Sequence, residues 1–160
     1  MVSDKLQEFI EYLGEYADFL ESMIEEQNDK LEALLSHDIP TIERSVARQQ
    51  VLTIRMDQLE QGREKRQQDM GFPEKTLREI AESVRMENPE QAQKILDCHE
   101  RMSRAIEQIK FLNEKAMHLV ETNLQLVNME VPSETQTQLY TERAKKIAGS
   151  ANSSIYEKKI

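Results

Sequence analysis

Three histidines, a single cysteine and one basic run are the side chains of this sequence best suited to chemistry. Cys98 and His99 are adjacent. Consecutive helical positions diverge by about 100°, so this thiol and imidazole cannot share a metal or form a nucleophile–base pair without distortion. Glu114 and His118 stand one turn apart and read as a surface contact. The Glu-x-x-His spacing of a carboxylate-bridged dimetal site is absent, and so is a glycine-rich loop to cradle phosphate. Arg63-Glu64-Lys65-Arg66 is the densest basic run and reads as the solvated end of a helix. No enzyme, metal site or cofactor is implied, and a helical-bundle metalloenzyme would need ligand spacings this chain lacks.

The elements that carry these residues are helical. The chain has 160 residues, 38% apolar and 32% charged, with four Gly, four Pro and no Trp. That leaves little material for a sheet or many turns and predicts an all-α protein. The net charge is −9. The first 36 residues are the acidic part, with ten Asp/Glu against two Lys. An acidic surface repels a phosphate backbone and argues against nucleic acid as a partner. The lone Cys98 excludes an intrachain disulfide and fits a reducing cytosol. No signal core follows Met1, and no apolar run reaches the roughly 20 residues needed to span a bilayer. The expectation is a cytoplasmic protein with no membrane insertion.

Heptad spacing predicts three long helices. The first runs over about 4–36, with Ser3 or Asp4 as N-cap. Its seam is Leu6, Ile10, Leu13, Ala17, Leu20, Ile24, Gln27, Leu31 and Leu34. Gly14 lies inside it, and a close helix crossing would account for it. The second begins at Asp38 as N-cap with Pro40 in its first turn, follows Ile42, Val46, Gln49, Leu52, Met56 and Leu59, and ends at Gly71-Pro73. The short link His37-Asp38 predicts an antiparallel hairpin. A crossover helix is expected over 74–84, with Pro73 just inside its start and Leu77, Ile80, Ala81 and Val84 on one face. The third opens on Asn88-Pro89 with Gln91 as a capping-box residue and runs to about 130. Its seam passes through Ile95, Met102, Ile109, Ala116 and Leu126. The organisation expected is an antiparallel up-down-up bundle domain over 1–131 and a flexible C-terminal tail over 132–160.

Two surfaces carry apolar residues beyond these seams. Phe9, Tyr16 and Met23, with Tyr12 and Phe19, widen the stripe near the start of the first helix. There Leu77, Ile80 and Val84 of the crossover can cover them. The third helix widens from Met117 onward, where Met117, Leu124 and Val131 add a column to Leu119, Val120, Leu126 and Val127, and Met129 lies nearby. If the helices start level, this end overhangs its neighbours by ~12 Å. Met and Leu suit an amphipathic partner helix. The alternatives for this face are fold-back of the tail through Leu139, Tyr140 and Ile147, or self-association into a homo-oligomer.

The chain resembles the FlgN-type flagellar export chaperones over nearly its whole length. The resemblance is carried by Glu32-Ala33-Leu34-Leu35-Ser36-His37-Asp38, Gln49-Gln50-Val51-Leu52 and Leu59-Glu60-Gln61-Gly62-Arg63. Gly71-Phe72, Thr76-Leu77-Arg78-Glu79-Ile80 and Ile109-Lys110-Phe111-Leu112-Asn113 continue it. The ending Ser154-Ile155-Tyr156-Glu157-Lys158-Lys159-Ile160 is similar to that of many members. The resemblance implies a cytoplasmic chaperone that binds the C-terminal helical segment of hook–filament junction proteins. It would prevent their premature assembly and pass them to the type III export gate. It matches Tyr140 to a tail tyrosine of the family, although Leu139-Tyr140-Thr141 departs from the commoner pattern. With Ile155 and Tyr156, that residue joins the expected partner-binding set. A self-associating coiled-coil adaptor or regulator is the alternative function.

Overall fold

The computed structural model describes residues 2–129. Four helices account for most of them: α1 (Val2–Ser36), α2 (Ile39–Asp69), α3 (Leu77–Val84) and α4 (Pro89–Met129). No strand occurs among the described residues. Of these residues, one compact unit takes 2–22 with Arg55–Glu107, and a second takes Met23–Ile54 with 108–129. The expected tail over 132–160 lies outside the described residues.

The α1 seam is buried as its spacing requires. Leu6, Leu13, Ala17, Leu20, Gln27 and Leu34 are all below a tenth exposed, and Ile24 and Leu31 are half-buried. α1 begins at Val2, which puts Ser3 and Asp4 inside the first turn, not at the cap. Its end is closed by His37, whose φ of 54° breaks the helix in the left-handed region. Asp38 then caps α2. Its carboxylate accepts from the Thr41 backbone N–H at 3.2 Å and from the Thr41 hydroxyl at 2.5 Å. Those two bonds hold the Asp38 carboxyl below its usual pKa.

In the first unit, Tyr12 Oη donates to the Leu59 carbonyl at 2.5 Å and Tyr16 Oη to Glu60 Oε2 at 3.0 Å. Position numbers rise on α1 as they rise on α4, where Gln91 Nε2 donates to Gln7 Oε1 at 3.2 Å and Arg101 Nη2 to Asp18 Oδ1 at 2.6 Å. Gln91 does not close a capping box with Asn88, because the Asn88 N–H donates to the Val84 carbonyl at 2.8 Å and Gln91 Oε1, the atom that would accept it, is buried without a hydrogen-bond partner. Phe9 and Tyr16 are buried, as are Leu77 and Ile80. Gly14 is not the site of a close crossing, because a Cβ there would meet nothing within 4 Å. The close approach is at Gly62, where the Tyr12 hydroxyl occupies the space a Cβ would fill.

α2 ends in a Schellman motif. Gly71 takes φ 86°, its N–H donates to Gln68 O at 3.0 Å, and the Phe72 N–H donates to Gln67 O at 2.8 Å. α3 is shorter than its apolar face predicts. It starts at Leu77, not near 74, because Thr76 forms a reciprocal capping box with Glu79. Pro73 belongs to the turn before it. Arg63, expected on a solvated helix end, is 5% exposed. Its guanidinium lies against Glu60 and Gln67, so its charge is paired inside the unit.

In the second unit, Gln27 faces Gln49, and Glu26 pairs with Arg48 through Arg48 Nη2 at 2.5 Å. Further toward the link, Leu34 shares a core with Ile42, so from Gln27–Gln49 to Leu34–Ile42 positions fall on α2 as they rise on α1, the pattern of an antiparallel pair. Lys30 meets Asn113 of α4, 83 residues on.

Candidate partner-binding site

The end of the second unit is built around four buried residues, Leu34 of α1, Ile42 of α2, and Ala116 and Val120 of α4. Leu31, Val46, Met117, Leu119 and Leu124 pack against them while keeping part of their surface in water. The two-residue link His37-Asp38 sets this geometry. The helix stop at His37 and the carboxylate cap at Asp38 place Leu34 and Ile42 within one shared core.

Val120 is thus a core residue, 1% exposed, and not part of an open groove. The widened arc of α4 is used by two neighbours at once, since Leu34 of α1 and Ile42 of α2 both pack on it. Met117 and Leu124, the added column, rest on the rim of that core and do not stand clear of it. Leu119 lies on the rim as well. α4 still outruns α1: the 83-residue offset of the Lys30–Asn113 bond brings Ser36 level with Leu119. The last ten residues to Met129 extend beyond that level, ~15 Å at 1.5 Å per residue. Leu126, Val127 and Met129 lie on this stretch of α4, and their side chains fall outside the described ones. Tyr140, Ile155 and Tyr156 lie outside the described residues altogether.

A polar layer lies next to this core: Gln27 and Gln49 stand on the predicted seams, Lys30 and Asn113 do not. Gln27, Lys30, Gln49 and Asn113 are buried, Lys30 and Gln27 completely. Lys30 Nζ donates to Asn113 Oδ1 at 2.7 Å, and burial pushes its ammonium down to about 7. The signal was present in sequence: Lys30 sits three residues after Gln27 and four before Leu34, on the inward face of α1.

A cleft of about 460 Å³ opens in the first unit where α2 turns toward α3, between Arg63, Gln67, Pro73 and Lys75. Its buried polar groups are engaged. Gln67 Nε2 donates to the Lys75 carbonyl at 2.8 Å, and Arg63 is held by Glu60. The cleft is a tied corner with no nucleophile–base pair. Burial raises the Cys98 pKa, which lowers its thiolate fraction at neutral pH. Among the described residues, no three His, Cys, Asp or Glu side chains gather as metal ligands.

A family model described as FlgN protein matches residues 1–148. No curated protein and no solved structure matches the chain.

Proposed function

Because the chain belongs to the FlgN family of flagellar export chaperones, we propose that it is a cytoplasmic holdase for hook–filament junction proteins. In this reading it binds their C-terminal helical segment, prevents premature assembly and delivers them to the type III export gate. The family is one of chaperones, not of enzymes. No helix among the described residues is long and apolar enough to cross a membrane. We further propose that residues 1–131 form one up-down-up bundle domain and that the tail over 132–160 adds contacts to the bound segment.

The observation that supports this placement is the rim of the second unit, where Leu31, Met117, Leu119 and Leu124 are only partly covered. Such a rim offers adaptable apolar area to an amphipathic helix. Leu126, Val127 and Met129 extend that offer along α4. Tyr140, Ile155 and Tyr156 supply contacts from the tail.

The test is calorimetric titration with a peptide of a junction protein's C-terminal segment. Leu124→Ala should weaken binding by about 1–2 kcal/mol, the value of one large apolar contact. Leu124→Asp should weaken it further by placing an unpaired carboxylate at the contact. The control is Leu13→Asp, a fully buried position, which should unfold the chain. Unchanged affinity in Leu124→Asp would place the site elsewhere. Melting like Leu13→Asp would make position 124 core.

A further inference from the structure

The two units treat their buried charges differently. In the first, Arg63 is paired with Glu60 and bonded to Gln67, and Glu60 also accepts from Tyr16. In the second, Lys30 is fully buried against one neutral acceptor, Asn113 Oδ1. An ammonium has three donors and a full charge, and one amide oxygen does not replace its water. Beside it, Gln27 reaches Gln49 at only 3.4 Å, and Gln27 Oε1 is buried with no hydrogen-bond partner.

Among the described residues no charge offsets this burial. Glu26 of α1 is engaged with Arg48 of α2 at the flank of the layer. On α4, Lys110 and Glu114, on either side of Asn113, point to water. Desolvation is the one cause of the Lys30 shift.

We propose that this layer is a conformational device: the second unit opens locally around Lys30, returning the ammonium to water and uncovering Leu34, Ile42 and Val120, while the first unit stays folded. That the uncovered residues receive an export substrate rests on the reading above; the opening stands on the layer alone. Opening is linked to protons. The open form holds the Lys30 proton up to the ordinary value of 10.5, whereas the closed form releases it at about 7. Across that window the open form binds more protons, so rising pH favours the closed form. Below about 7 both forms carry the charge and the linkage is flat.

Amide hydrogen exchange of the full chain, read by mass spectrometry for peptides of each unit, tests this. At pH 6.5, Lys30→Met should slow exchange of amides in Met23–Ile54 and 108–129 at least tenfold. Amides in Arg55–Glu107 should stay within twofold of the parent. The advantage should shrink as pH rises toward 9. Lys30→Gln, which keeps a donor for Asn113 without a charge, should change exchange in the same direction, and it decides alone if Lys30→Met does not fold. Equal slowing in both units would mean that Lys30 lowers global stability only, and would overturn local opening. No slowing in Lys30→Gln would overturn it too. Neither result depends on substrate, so a failed peptide titration leaves this measurement intact.

Discussion

Gly14 and Gly62 both lie inside a long unbroken helix, and substitution should separate them. A Cβ at Gly14 meets nothing within 4 Å. Gly14→Ala should therefore raise stability by about 0.5–1 kcal/mol, through lost chain entropy in the unfolded state. At Gly62 the same change collides with the Tyr12 hydroxyl. That ring is held by its bond to the Leu59 carbonyl and by the Arg66 guanidinium 3.9 Å above its centroid. Gly62→Ala should cost about 1–3 kcal/mol, as overpacking does. Thermal melts followed by circular dichroism would show opposite shifts in Tm. Sequence alone assigned the close approach to the wrong glycine. A helical wheel locates a glycine on its own helix but does not say which side chain of another helix reaches it. Lys30 and Arg63 were hidden for a related reason. Charge type argues for water, and only the positions of Asn113 and Glu60 show how each charge is accommodated.

Among the elements, α3 depends most on its ends. Eight residues are too few for a helix to persist on propensity alone, so its capping box matters more than it would on α1. Thr76→Ala should cost about 1 kcal/mol, and Thr76→Ser should restore most of that. Urea denaturation measures the total, and exchange of the amides in Leu77–Val84 localises it. The long seams were legible because apolar steps of three and four repeat over many turns, and the burial of Ile95, Met102 and Ile109 follows them. The start of α3 was not. Pro73 suggests a start near 74, and the Schellman turn at Gly71 carries the chain past it to the cap at Thr76. At Met117 and Leu124 the spacing did not show that the stripe also packs on a core shared with α1 and α2. A widened stripe looks the same whether a second helix already covers it or an absent partner would.

At the scale of the whole molecule, the distances along the chain between touching residues are uneven. Within the second unit, α1 and α2 meet across 22 residues at Gln27–Gln49, whereas α1 and α4 meet across 83 at Lys30–Asn113. Closing the longer loop costs about 1 kcal/mol more in chain entropy. The two-residue link at His37-Asp38 therefore sets an order of events: the hairpin of α1 and α2 closes early and α4 docks on it afterwards. Ile42→Val should slow refolding, and Val120→Ala should leave the refolding rate near that of the parent and speed unfolding, as stopped-flow chevron plots would resolve. During synthesis on the ribosome the hairpin emerges before Ala116 and Val120 exist. For that interval the nascent chaperone presents Leu34 and Ile42 uncovered, and is itself briefly in need of protection from aggregation.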